Sequence, residues 1–264
     1  MSEKDKTARF ALAEGGWRID VLVQGYPGKS ICHGGLGWST IVLLQGRGRR
    51  ALIDTGSFGQ RQPIIDRLAE HGLAPADITD VLLTHSHWDH AINWVMFPQA
   101  RIAIDGAELD WSLREPWGLT PVPELYVREL AGSRQLARFS PGAAVLPGIT
   151  AHAAPGHTPG HVIFLLSGST RDIIFTGDAA KNRAEMLSRT ADMTYDPAVS
   201  RASMEGIWSL WRAKTGSVLV PGHDAPMVLE GGVPKYVAAL DAGITAWFGE
   251  DLGTLTRYDL TKDR

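Results

Sequence analysis

The sequence predicts an α/β protein built from two similar halves packed as one unit. Apolar, strand-like runs fall into two groups, and helix signals follow each group. No low-complexity linker separates the groups, which argues for a single domain over residues 1–264. That length is long but acceptable for one α/β domain and buries a sizeable core.

The elements follow in order. "WRIDVLVQG" (17–25), "STIVLLQG" (39–46) and "RRALIDTG" (49–56) read as strands punctuated by glycine, with the glycine-rich loop "YPGKSICHGGLGWS" between the first two. "QRQPIIDRLAEH" (60–71) places apolar side chains at 64, 65 and 68, the spacing of an amphipathic helix, and Gly72 stops it. "ITDVLLT" (78–84) is a buried strand, "ARIAI" (100–104) another, and "DGAELDWSL" a short helix capped by Asp105. Residues 112–147 carry prolines at 116, 121, 123, 141 and 147 and are expected to form an insertion over the core. Three strand-like runs, "GITAHAAPG", "HVIFLLSG" and "RDIIFTGD", lie between 148 and 178. A helix is expected over 197–214, with Pro197 at its first position and Val199, Met204, Ile207, Leu210 and Trp211 on one face. "SVLVPGH" (217–223) is a last strand, and the tail from about 234 reads as helical.

Composition narrows the function. With 44% apolar and 21% charged residues and a net charge of −3, the chain lacks the concentrated basic surface that nucleic acid requires. The "GRGRR" cluster at 46–50 sits between two strands and reads as a solvated hairpin turn. A lone cysteine, Cys32, excludes an internal disulfide, favours a reducing compartment and reads as a small buried hydrophobe. "MSEKDKTARF" lacks the apolar core of a secretory signal, and no window approaches ~18 consecutive apolar residues. The expectation is a soluble, cytoplasmic protein acting on a small molecule, with no nucleic-acid or membrane partner. Apolar residues in the loops leave room for a homodimer.

The chemistry concentrates in "VLLTHSHWDH" (81–90), where His85, His87, Asp89 and His90 fall within six residues behind a strand. A continuing strand would point His90 away from the other two histidines, whereas a tight turn after Thr84 lets all four side chains converge. Neutral imidazoles suit zinc and other borderline divalent metals, and a carboxylate adds a hard ligand. Downstream, "APGHTPGH" (154–161) holds His157 and His161, "FTGDAA" (175–180) holds Asp178, and "VPGHD" (220–224) holds His223. Each follows an apolar run and is flanked by glycine.

From "LIDTG" to "VPGH" these motifs resemble, in type and order, the metallo-β-lactamase-fold hydrolases, above all the branch of glyoxalase II and the quorum-quenching lactonases. The resemblance implies an αββα sandwich with a dinuclear metal site at one edge of its two sheets. Carried over by position, His85, His87 and His157 would bind the first metal, and Asp89, His90 and His223 the second, with Asp178 bridging. Two divalent ions are implied, zinc foremost, although His/Asp sites also accept manganese, iron or cobalt. The reaction expected is attack by a metal-bridging hydroxide on a carboxylic ester, lactone or thioester.

Other residues carry weaker signals. Asp89, Lys181 and Tyr195 are the candidate catalytic residues. Lys181 stands where many lactonases of this fold place a tyrosine; it would pair with a substrate carboxylate or stabilise an oxyanion, or simply be a solvated lysine at a helix start. Tyr195, in "ADMTYDP", is out of register with that tyrosine but offers the same group. The resemblance makes His161 a supporting hydrogen-bonding residue. Asp54 matches a position that orients the site, and reads equally as a turn aspartate. His33, His71 and His152 lie outside the motifs. Trp38, Trp88 and Trp117 would wall an apolar pocket, while Trp94, Trp208 and Trp211 read as core.

Other activities of the same fold fit less well. β-Lactam hydrolysis is disfavoured by the bridging aspartate and phosphodiester cleavage by the lack of an added nucleic-acid-binding arm. Flavin-linked di-iron chemistry is disfavoured by His87 where a glutamate is usual. A mononuclear iron sulfur dioxygenase keeps similar ligands, and a non-catalytic metal-binding regulator would commonly have lost some of the seven.

Overall fold

The computed structural model describes residues 10–31 and 34–261, so Cys32 and His33 lie outside the described residues. The chain opens with β1 (Ala11–Glu14), β2 (Trp17–Val23), a small hairpin of β3 (Lys29–Ser30) and β4 (Gly34–Gly35), β5 (Ile41–Gly46) and β6 (Arg49–Ile53). It continues through α1 (Arg61–Glu70), β7 (Asp80–Leu82), α2 (Trp88–Ala91), β8 (Arg101–Asp105), α3 (Gly106–Ser112), α4 (Glu124–Gly132) and β9 (Leu136–Phe139). The second half holds β10 (Ala144–Leu146), β11 (Ile149–Ala153), β12 (Val162–Ser167), β13 (Asp172–Phe175), α5 (Arg183–Ser188), α6 (Pro197–Ala213) and β14 (Val218–Val220). Then come β15 (Met227–Glu230), β16 (Val233–Tyr236), β17 (Gly243–Ala246) and β18 (Thr256–Asp259).

Two seven-stranded mixed sheets result, ordered β1-β2-β5-β6-β7-β8-β9 and β10-β11-β12-β13-β14-β15-β16. Pairs β6–β7, β7–β8, β8–β9 and β13–β14 are parallel. Parallel neighbours need crossovers, and these carry the helices that cover the outer faces. Alternation along β5 decides which side each residue serves. Val42 and Leu44 enter the core between the sheets, where they join Trp17, Ile19, Phe164, Phe175 and Val220. Ile41 and Leu43 point outward to Ile64 and Leu68 of α1. On the far side Ile207, Trp208 and Trp211 of α6 pack over Ile174 and Leu219. The order of layers is therefore helix, sheet, sheet, helix, as expected. Among the described residues no helix is long and apolar enough to cross a membrane.

Three expectations need adjustment. The turn in "GRGRR" has positive φ at both Arg47 (52°) and Gly48 (74°), the two-residue hairpin conformation that matches strand twist. Its flanking Arg49 is not merely solvated, because with Arg101 it pairs with the fully buried Asp80 at 2.9 and 2.8 Å. Residues 112–147, expected as an insertion, supply α4 and the edge strands β9 and β10, one to each sheet. The prolines sit in the connections, and the strands gain their order from pairing with residues distant in sequence. The tail from 234 is not helical but extended. Gly231 and Gly232, both at positive φ, fold β16 back along β15, and β17 pairs with β18. Such tertiary pairing overrides local helix preference.

One polar strap joins the two halves. The Glu14 carboxylate, at the end of β1, accepts from the backbone N–H of Ser169 at 2.8 Å and from the hydroxyls of Ser169 and Thr170, in the turn before β13. The Thr170 hydroxyl chiefly, over the opposing effect of burial, pulls the Glu14 carboxyl down to about 2 from 4.5. Because the folded pKa is depressed, this stabilisation is complete above about pH 4.5 and is lost as the pH falls from there toward about 2. Glu14→Gln should lower unfolding free energy by about 1–3 kcal/mol at pH 7 in urea titration, with the gap to wild type narrowing by pH 3. Equal midpoints at pH 7 would show the strap to be energetically idle.

Candidate metal centre

The site forms where strands of both sheets end. β7 stops at Leu82 and the chain runs through Thr84 into the His85–His90 loop. The β11–β12 connection carries His157 and His161, a short turn after β13 carries Asp178, and the segment after β14 carries His223. Backbone hydrogen bonds bring these ends together: Val162 N–H donates to Thr84 O at 3.0 Å, and Thr40 N–H donates to Gly222 O at 2.7 Å. His87 is extended (φ −64°, ψ 153°) and α2 starts immediately after it. His85 and His87 therefore arrive from extended chain and His90 from a helical turn, which allows the three to converge.

All seven side chains expected as ligands meet there. His85, His87 and His157 form one group, His85, His90 and Asp178 a second, and Asp89, His90 and His223 a third; within each, the ligand atoms lie within 4.8 Å of one another. Asp178 lies between the outer two groups. Its Oδ1 is 3.0 Å from His90 Nε2 and 3.2 Å from His223 Nε2, while its Oδ2 is 3.3 Å from His157 Nε2. Gly222 is required by this packing, since a Cβ there would sit 2.5 Å from Asp178 Oδ1.

Supporting bonds aim the imidazoles. Asp54 accepts from the Thr84 backbone N–H at 2.9 Å and the Thr84 hydroxyl at 2.8 Å, and its Oδ2 lies 2.8 Å from His90 Nδ1. That contact places a proton on Nδ1 and turns Nε2 toward the cluster. Asp54 is thus an orienting residue and more than a turn aspartate. His161 Nε2 accepts from the Asp178 backbone N–H at 3.0 Å, so it supports the Asp178 turn. His71 ends α1 and His152 lies on β11, both partly buried and away from the cluster.

The donor set suits a metal. His85 Nε2 and His157 Nδ1 are buried without a hydrogen-bond partner among the described residues, an arrangement that is costly unless a ligand completes it. Burial holds His85 and His157 far below the ordinary imidazole range and His87 at about 4, so each keeps a lone pair at neutral pH. His90 and His223 go the other way. Burial opposes their charging, but the carboxylates of Asp178 and Asp89 lift His90 well above 6.5 and His223 to about 9. Neutral imidazoles and buried carboxylates in this arrangement can hold a borderline divalent cation.

The outlying candidates divide. The Lys181 side chain is largely buried beside the cluster just ahead of α5, with Nζ 3.0 Å from Glu185 Oε1, so the solvated-lysine reading is set aside. Tyr195 is 69% exposed at the mouth, its ring edge-on to Trp111 at 6.2 Å. Trp111, which its sequence context places simply on α3, is also 6.2 Å from the His87 ring. Trp38 stacks on Tyr26, Trp117 lies under Arg128, and Trp88 is 42% exposed within the histidine loop. Sequence reasoning missed Glu108. Three residues after the Asp105 cap, it carries the ordinary signature of a helix start, yet its side chain turns to Ser86 and Thr158.

The profile of the metallo-beta-lactamase superfamily matches residues 34–223, more than half of the chain, and the chain belongs to that superfamily. It is 30% identical over 178 residues to metallo-beta-lactamase domain-containing protein 1 of Rattus norvegicus, covering 66% of this chain and 61% of that one. It is 24% identical over 164 residues to an N-acyl homoserine lactonase of Bacillus thuringiensis, covering 61% and 62%. The chain thus spans about three fifths of the length of these curated relatives. Among solved structures, AidC, a dizinc quorum-quenching lactonase, superposes with a TM-score of 0.71 at 17% identity, over 90% of this chain and 99% of that one, a likeness of fold.

A cation entering the cluster must displace the protons that His90 and His223 hold in its absence. Zinc binding to metal-free protein at pH 7.5 should therefore release protons, seen by calorimetry as a heat that changes with the ionisation enthalpy of the buffer. A heat independent of buffer would contradict this electrostatic picture.

Proposed function

We propose that this superfamily member is a binuclear metal-dependent hydrolase that opens a carboxylic ester, lactone or thioester in a small-molecule substrate. The observation that carries the reading is the placing of Asp178, with one carboxylate oxygen toward His90 and His223 and the other toward His157. In this reading His85, His87 and His157 hold one ion, Asp89, His90 and His223 hold the other, and Asp178 takes part in both positions. Divalent ions there, zinc being the one expected, supply Lewis acidity and a water of near-neutral pKa.

The chain's own residues then divide the work. Asp54 keeps His90 in the tautomer that presents Nε2, and His161 steadies the Asp178 backbone. Asp89 is the most open of the seven, so it faces arriving substrate and is placed to take up the proton released when water attacks. The charge of Lys181 is felt at His87 and His157, which supports a role in stabilising negative charge on the carbonyl oxygen. Tyr195 stands in the open with its ring beside Trp111, and in this reading it is the candidate to assist the leaving oxygen. The similarity to an N-acyl homoserine lactonase lends its support to the lactone branch.

The test is proton release from a mixed panel of acyl-homoserine and aromatic lactones, thioesters, aryl esters, a penicillin and a phosphodiester, using metal-loaded protein. Release is expected from lactones, esters or thioesters alone, and silence across the panel would remove the hydrolase reading. Asp178→Asn should cut turnover by more than ~100-fold, beyond the loss of a supporting hydrogen bond, while circular dichroism stays unchanged. Undiminished turnover in that variant would sink the binuclear scheme.

A further inference from the structure

Among the buried carboxylates that the proposed chemistry does not use, one bonds to both of the loops that carry His85, His87 and His157. Glu108 of α3 is fully buried. Its Oε1 accepts from the Ser86 backbone N–H at 2.9 Å and the Ser86 hydroxyl at 2.7 Å. Its Oε2 accepts from the Thr158 hydroxyl at 2.7 Å and the Gly160 backbone N–H at 3.1 Å. Four donors therefore fill the acceptor sites of an ionised carboxylate, which is how such a group is tolerated without water. Two of the donors are backbone N–H groups, which cannot reverse their role.

The identity of these partners gives Glu108 its meaning. Ser86 separates His85 from His87, Thr158 follows His157, and Gly160 precedes His161. The two loops leave different sheets, the first after β7 and the second between β11 and β12. A single side chain thus spans both and clamps the backbone next to all three histidines of one group. Gly160 belongs to the same device, because a Cβ there would lie 2.2 Å from the Glu108 backbone nitrogen. Only glycine lets the second loop come this close to α3. Asp105 holds the start of that helix by accepting from Ala107 and Glu108 N–H groups at 2.9 and 3.1 Å, so the clamp stands on a capped, fixed base.

We propose that Glu108 is a positioning residue that sets the separation of the His85–His87 pair from His157, and through it the affinity and geometry of one metal position. It touches neither metal nor substrate. The inference rests on the reading that this group of histidines holds an ion. A wrong spacing of a few tenths of an ångström at three imidazoles is felt directly by a cation with tetrahedral preference.

The experiment is chelator-competition titration of metal-free protein with zinc, paired with the visible spectrum of the cobalt-loaded form. Wild type should take up two ions. Glu108→Gln keeps the volume but turns an N–H toward donors on one of the two loops; it should weaken one ion by about 10–100-fold, leave the other in place, and shift the cobalt bands. Thr158→Val and Ser86→Ala each remove one hydroxyl arm and keep the charge, so each should weaken the same ion by a smaller factor. They carry the test if Glu108→Gln does not fold. Folded variants with wild-type affinities and an unchanged cobalt spectrum would overturn the positioning role. Wild type that binds no ion would overturn the metal reading itself, and this role with it.

Discussion

The Asp54 carboxylate joins the framework to the site, and most of the arrangement around the cluster depends on it. It sits where β6 ends, accepts from the backbone and hydroxyl of Thr84 at the end of β7, and contacts His90 six residues further on. Asp54 holds this place in a left-handed backbone conformation, φ 56°, a region that costs a non-glycine residue about 1–2 kcal/mol. Strain of this kind persists only when the surroundings over-determine it. Here the surroundings are specific, since Asp54 N–H also donates to Leu82 O at 3.0 Å and closes the end of the parallel pair. The bend that ends the sheet and the bond that aims an imidazole are one structure.

Buried acids recur as ties between segments that no secondary structure connects. Glu185 shows the pattern on the other side of the cluster. It accepts from the backbone N–H groups of Lys181 and Asp192, both at 2.8 Å, and joins the start of α5 to the loop that leads to Tyr195. Asn182 caps that helix as Asp105 caps α3. In both places a helix too short to stand alone is fixed by its cap, then offers a carboxylate from its first turn to loops of the site. The rigidity of these loops is thus built from polar contacts, while the apolar layers fix only where the sheets lie.

How far the sequence disclosed this depends on the range of the forces involved. The histidine loop was legible because four coordinating residues lie within six positions, and the glycine-flanked motifs were legible because each follows a strand. The helix at 197–214 was equally plain, with Asp196 accepting from Ala198 and Val199 N–H groups ahead of Pro197. Residues 136–146 and 227–259 were not, because their strands draw order from partners far along the chain or across a hairpin that local propensity does not announce. Glu108 escaped notice because the position three after a cap is where an acidic residue ordinarily serves its own helix. Lys181 was legible as an oddity of position, but its pairing with Glu185 depends on both side chains being buried together, which spacing alone does not reveal.

The donors lie far apart in the order of synthesis, at 85–90, 157, 178 and 223. A chain emerging from the ribosome completes the first sheet through β9 while it owns only part of the donor set. β14, which pairs with β13 and β15 inside the second sheet, comes just before the last histidine. A nascent or truncated chain would therefore expose an incomplete cluster of imidazoles on an uncovered sheet, with poor hold on any cation. The full set closes only when the second sheet has docked against the first. Capture of a cation would therefore follow the docking of the second sheet, a step late in folding, and could not guide the first sheet into place.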